Sequence, residues 1–208
     1  MSWLANVLAR LRRPLETYPD APDLFRAYRG WAADPALRRR PGGWEYKGRF
    51  YPDYLTAGGA SAAIARTALQ YCRGKGVDVG SGHWPLPGAE PLDAERGPGA
   101  GRTIRDHAPG SLDYVFSSHC LEHIAGWEAE LDAWIERLKP GGVLFLYLPH
   151  PDCGLWEPGS PMVGPYHVWR PTPAGMRDAL RARGLDPVAE DDGPDAMQSF
   201  FACARKRA

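Results

Sequence analysis

The sequence predicts an α/β fold: an open, mostly parallel sheet flanked by helices and closed by a C-terminal antiparallel strand. Three observations predict it. Short apolar runs without helical spacing recur at "GVDVG" (76–80), "LDYVFSS" (112–118) and "VLFLYLP" (143–149), as buried parallel strands do. Amphipathic segments lie before and between them. Two further strand signals end the chain, "LDPVAE" and "MQSFFACARK", with the turn residues "DDGPD" between them.

The elements follow in order. Trp3, Leu4, Val7, Leu8 and Leu11 have helical spacing, and an aromatic stretch, "GGWEYKGRFYPDYLTAGG" (42–59), comes after them. Residues 1–60 are therefore expected to be a helical and aromatic lead-in, and residues 61–208 the α/β domain. "SAAIARTALQYCR" (61–73) reads as a helix capped by Ser61, and Gly74 and Gly76 end it before the first strand. "AEPLD" (89–93) is the next strand, and "RTIRD" (102–106) is a weak segment. "WEAELDAWIERLK" carries Trp127, Leu131, Trp134, Ile135 and Leu138 on one helical face, with "PGG" (140–142) as its stop. Thr172 caps a last helix with Pro173 at its first position, and Gly184 ends it.

Composition narrows the function. In 208 residues, 25 basic side chains balance 25 acidic ones, so the basic excess of a general nucleic-acid binder is missing. The four cysteines form no CxxC, which fits a reducing cytoplasm. No apolar run reaches the ~20 residues of a membrane span, which excludes stable insertion and leaves weak surface association of the first helix as the alternative. Oligomeric state has no signature here.

Function is concentrated at strand ends, because ligands of open α/β sheets bind beyond the carboxyl ends of the strands where strand order reverses. Gly80 and Gly82 end the first strand and Asp93 ends the second, where an acid commonly takes ribose hydroxyls. Only residues 83–88 separate Gly82 from the second strand, too few for a parallel crossover of ~10–12 residues. The first crossover helix is thus replaced by the proline loop "HWPLPG". A dinucleotide site needs that helix end for its pyrophosphate, so a dehydrogenase is disfavoured.

"VDVGSG", "PLD", "GSLDYVFSSHCLEHI" and "LKPGGVLFLYLP" together resemble the class I S-adenosylmethionine-dependent methyltransferases, in particular small bacterial members associated with surface-polysaccharide synthesis. The resemblance covers about residues 74–150. It implies a Rossmann-like methyltransferase sheet and S-adenosylmethionine as cofactor. It also implies Asp78, Gly80, Ser81 and Gly82 at the methionine end, Asp93 on the ribose, and Ser117, Ser118 and His119 bordering the site. Asp106 is the acid available for the adenine amino group, and Trp84 or Leu86 would cover the cofactor in place of the helix. The expected reaction is methyl transfer to a small acceptor such as a sugar or nucleotide-linked glycan. The alternative is a non-catalytic binding or scaffold protein with a degenerate cofactor site.

A hydroxyl acceptor benefits from a general base, and His119, His150 and His167 are the candidates near strand ends and in the loop before the last helix. Tyr51, Tyr54, Tyr166 and Arg170 are candidate acceptor contacts on the two aromatic-rich loops. Glu122 and His123 read as the start of a helix. His119, Cys120, His123, His150 and Cys153 are of the right types for zinc, but their spacing matches no standard knuckle, and no metal site is assigned.

Overall fold

The computed structural model describes residues 34–56 and 59–207. The helix expected over the first 18 residues lies outside them. The aromatic stretch forms a small antiparallel sheet of β1 (Leu37–Arg40), β2 (Gly43–Tyr46) and β3 (Arg49–Pro52). Lys47 and Gly48 join β2 to β3 with φ of 48° and 78°, the two left-handed residues that a tight hairpin turn matching strand twist requires. A 3₁₀ turn, Asp53–Thr56, follows.

Helix α1 (Ala60–Ala68) starts from Gly59, whose φ is 88°, so Ser61 lies inside the first turn and is not its cap. Then come β4 (Gly76–Val79), β5 (Glu90–Leu92), β6 (Leu112–Ser118), α2 (Trp127–Arg137), β7 (Leu138–Pro149), α3 (Pro173–Ala182), β8 (Leu185–Asp191) and β9 (Ser199–Lys206). They build a six-stranded sheet in the order β5-β4-β6-β7-β9-β8. β5, β4, β6 and β7 are parallel, and β9 runs antiparallel to both its neighbours. "RTIRD" supplies no strand: Ile104–Asp106 is a 3₁₀ turn closed by reciprocal Thr103–Asp106 capping. "PGG" is not the stop of α2 either, since the chain enters β7 directly at Leu138.

Alternation along the strands divides the core. Val77, Val115, Leu144 and Leu146 face α2 and α3 on one side, with Trp134, Met176 and Leu180. Tyr114, Phe116, Phe145 and Tyr147 face α1 on the other, with Ile64 and Ala68. Leu86 of the proline loop belongs to this second layer and is 1% exposed, whereas Trp84 is 61% exposed. The loop therefore replaces the missing helix by inserting one leucine into the core, and Leu86 is not a cofactor cover. Among the described residues no helix is long and apolar enough to cross a membrane.

Candidate active site

The strand order reverses between β4 and β6, so the carboxyl ends of these two strands form the crevice in which ligands of such sheets bind. Gly80 turns there with φ of 75°, and a Cβ on it would stand 2.3 Å from Cys120 Sγ. Glycine is required on both counts. The Gly80 and Ser81 amides both donate to the Leu92 carbonyl, at 2.9 and 3.2 Å, which locks the turn to β5.

Asp78 is fully buried beneath this turn. Its Oδ2 accepts the Leu86 amide at 2.7 Å, while Oδ1 has no protein partner. Burial pushes the carboxyl up to about 7, against the pull of the Leu86 amide; the nearby Asp93 adds to the rise. Ser81 Oγ and Ser118 Oγ are also buried without a partner, and Ser117 Oγ donates to the Val79 carbonyl at 2.9 Å. Buried polar atoms without partners are rare in folded proteins, and here three of them flank the switch point.

Asp93 is engaged by the chain itself. Oδ2 accepts the Gly82 amide at 2.9 Å, and Oδ1 accepts the amides of Glu95 and Arg96 at 2.9 and 2.8 Å. Gly97 closes against the Gly82 carbonyl, where a Cβ would come within 1.7 Å. Asp106 is exposed, and its carboxylate accepts the Thr103 amide.

The β6 end holds a cluster that the helix reading of Glu122 and His123 did not anticipate. Leu121–His123 is a 3₁₀ turn, and α2 starts only at Trp127. Glu122 is fully buried and neither carboxylate oxygen has a hydrogen-bond partner. Around its Oε1 stand His119 Nδ1 at 3.7 Å, His123 Nε2 at 3.8 Å and His167 Nε2 at 3.8 Å. Desolvation raises the Glu122 carboxyl to about 8 and lowers His119 to about 3 and His167 to about 4, with the other histidines contributing; it lowers His123 as well. His119 reaches this position at φ of 49°, in the left-handed region. Of the remaining histidines weighed from the sequence, His150 accepts the Asp152 amide at 3.1 Å and packs edge-on against Phe200.

The candidate acceptor contacts divide. Tyr51 is 3% exposed and its hydroxyl accepts the Gly154 amide at 3.2 Å, within an apolar cluster of Tyr46, Leu55, Cys153 and Leu155 that fastens the small sheet to the loop after β7. Tyr54 is half-exposed and donates to the Ala196 carbonyl at 2.8 Å. The Arg170 guanidinium donates to the Pro151 carbonyl and lies 3.6 Å from Glu157. The Tyr166 carbonyl accepts from His123 Nδ1. A groove of about 540 Å³ lies at the opposite, amino end of the strands, lined by Gly74, Asp113, Lys139 and Arg205, away from all of these groups.

This arrangement meets its match in sequence: residues 69–190 fit the model of a methyltransferase domain family. The chain belongs to that family. The methyl donor of this class I methyltransferase fold is S-adenosylmethionine, which is the cofactor of the chain. No curated protein matches the sequence. Several solved structures match the fold. An S-adenosylmethionine-dependent methyltransferase from Archaeoglobus fulgidus is 14% identical, covering 70% of this chain and 92% of its own, with a TM-score of 0.52. One from Mesorhizobium loti is 16% identical, covering 73% of this chain and all of its own, with a TM-score of 0.50. The Burkholderia thailandensis 1,6-didemethyltoxoflavin-N1-methyltransferase, solved with its substrate and S-adenosylhomocysteine, is 15% identical over all of this chain and 92% of its own, with a TM-score of 0.51. At these identities the likeness is one of fold, and the mostly parallel sheet with its antiparallel end is what the methyltransferase shares with them.

Proposed function

We propose that this methyltransferase moves the methyl group of S-adenosylmethionine to a hydroxyl of a small acceptor, with a sugar or nucleotide-linked glycan as the acceptor class. The observation that carries the cofactor half is the trio of buried, unpartnered atoms at the switch point, Asp78 Oδ1, Ser81 Oγ and Ser118 Oγ. A carboxylate and two hydroxyls suit the ammonium and carboxylate of a methionine end. Gly80, Gly82 and Ser117 complete this side of the site, while Asp93 and Asp106 are the acids offered to the ribose and adenine. Asp93 would hold the ribose while keeping its own turn in place.

Bound there, S-adenosylmethionine would supply the activated methyl group to the acceptor oxygen and leave as the thioether, and the chain would have to orient that oxygen and take its hydroxyl proton. His119 is the base we assign. Its ring is neutral, and its Nε2 is held by Ser199 Oγ at 2.8 Å, which fixes the ring and leaves Nδ1 as the proton acceptor. The His119 side chain is also the most accessible of the three, 20% exposed against 10% for His150 and 5% for His167. The small β1–β3 sheet and the loop after β7 would form the acceptor rim, with Tyr54, Tyr166 and Arg170 as contacts and Tyr51 holding the loop beneath them.

The test is transfer of labelled methyl from S-adenosylmethionine to a panel of nucleotide sugars. Label should appear on a sugar hydroxyl, and His119→Ala should slow it at least about tenfold with cofactor affinity unchanged. Full activity of His119→Ala would remove the base assignment, and an unlabelled panel would remove the acceptor class.

A further inference from the structure

We propose that Glu122, His123 and His167 form a binding site for a divalent transition-metal ion, with His119 at its edge. Their candidate ligand atoms lie within 4.8 Å of one another. A bound ion with ligand distances of ~2.0–2.2 Å spaces its donors roughly 3.3–3.5 Å apart, so the cluster must contract by on the order of 1 Å, within the reach of side-chain rotation.

The hydrogen-bond network decides what the cluster lacks. His123 Nδ1 donates to the Tyr166 carbonyl at 2.9 Å and His167 Nδ1 to the Trp156 carbonyl at 2.7 Å. Ser199 Oγ donates to the Met197 carbonyl at 3.1 Å and so accepts from His119 Nε2. Each histidine has thus spent its N–H outward, leaving His119 Nδ1, His123 Nε2 and His167 Nε2 as lone pairs turned toward Glu122 Oε1. Four acceptors converge with no donor among them. Protonating Glu122 does not satisfy the group, because gaps of 3.7–3.8 Å are too long for a hydrogen bond. A cation held by Glu122, His123 and His167 satisfies three of them, and the His119 lone pair at the edge faces the same charge. Metal-ligating histidines characteristically donate their other ring N–H to a carbonyl in this manner, which fixes both ring and tautomer.

The scaffold is rigid and open on one side. The 3₁₀ turn and the loop before α3 are latched by Val168 N to the Glu122 carbonyl at 3.0 Å and Trp169 Nε1 to the Leu121 carbonyl at 2.9 Å, and Trp169 stacks on Trp127 at 4.4 Å. Glu122 and His167 are buried, but His123 is exposed and gives the ion a way in. Two imidazoles and one carboxylate suit zinc, iron, cobalt or manganese better than calcium or magnesium, and three protein donors leave a coordination position free. Binding of the ion does not depend on the methyl-transfer reading. Only its use as a Lewis acid for an acceptor oxygen rests on that reading.

The test is titration of chelator-treated full-length protein with Co²⁺ and Zn²⁺, without S-adenosylmethionine, followed by calorimetry and the visible absorption of Co²⁺. One equivalent should bind with micromolar affinity and a low-symmetry Co²⁺ spectrum. Glu122→Gln and His167→Gln should each weaken binding by at least about tenfold, the smallest loss seen when even an outer partner of a metal ligand is removed. His150→Gln should leave it unchanged. Should the buried variants fail to fold, the exposed His123→Gln must show the same loss. Absent binding, or equal affinity in folded variants, overturns the proposal whatever the outcome with the cofactor.

Discussion

Asp93 Oδ2 accepts the Gly82 amide at 2.9 Å, so the acid at the end of β5 holds the glycine turn after β4 in place. With the Glu95 and Arg96 amides on its other oxygen, one carboxylate organises both sides of the crevice. Asp93→Ala should therefore reduce stability as well as cofactor affinity. A bond to a charged acceptor is worth about 1.5–3 kcal/mol, so a loss of at least that size is expected in chemical denaturation. Unaltered stability with lost binding would make Asp93 a ligand group alone.

Asp78 gives a pH signature. Its folded-state pKa of about 7 is above the unfolded value of ~3.9, so folding takes up a proton between them. The resulting stabilisation is complete below about pH 4 and is lost as the pH rises through about 7. Asp78→Asn removes the buried charge, so it should unfold at a higher temperature than wild type at pH 8, with the gap closing toward pH 5. A gap independent of pH would contradict the assignment.

Gly80 tests the close packing of the two strand ends. Gly80→Ala puts a methyl group against Cys120 and forces an L side chain to φ of 75°. The backbone part costs about 1–2 kcal/mol. Stability of Gly80→Ala should drop beyond that, and Cys120→Gly should recover the excess but not the backbone part. Equal stabilities with and without the second change would show that Cys120 is not the obstacle.

Leu86 tests the replacement of a helix by a loop. It is 1% exposed against Tyr114 and Phe116, so Leu86→Ala should cost about 2–5 kcal/mol in denaturant unfolding, as buried leucine truncations do. The exposed Trp84→Ala should cost less than about 0.5 kcal/mol.

The legible parts of the chain are those where local pattern and tertiary burial agree. β6 reads from the sequence at its true ends because both faces are buried and every residue from Tyr114 on is apolar or small. Thr172 reads as a cap because its hydroxyl, accepting the Gly175 amide at 3.1 Å, acts within one turn. The shortened crossover was legible from chain length alone, but not that Leu86 would turn inward, since "HWPLPG" has no period. Glu122 was opaque for a stronger reason. "CLEHI" looks like the start of a solvated helix, and only contact with "PYHVW", far along the chain, buries the carboxyl among histidines. Pairing "EH" after a strand with a later histidine before a capped helix is the signal that could have found it.

Cofactor binding decides whether the switch point between β4 and β6 is an active site. Calorimetric titration of the wild-type protein and Asp78→Asn with S-adenosylmethionine and S-adenosylhomocysteine tests it. Micromolar binding to wild type, weakened at least about tenfold in folded Asp78→Asn, is the predicted result, a difference of about 1.4 kcal/mol or more. A folded wild-type protein that binds neither compound up to millimolar concentration would contradict it.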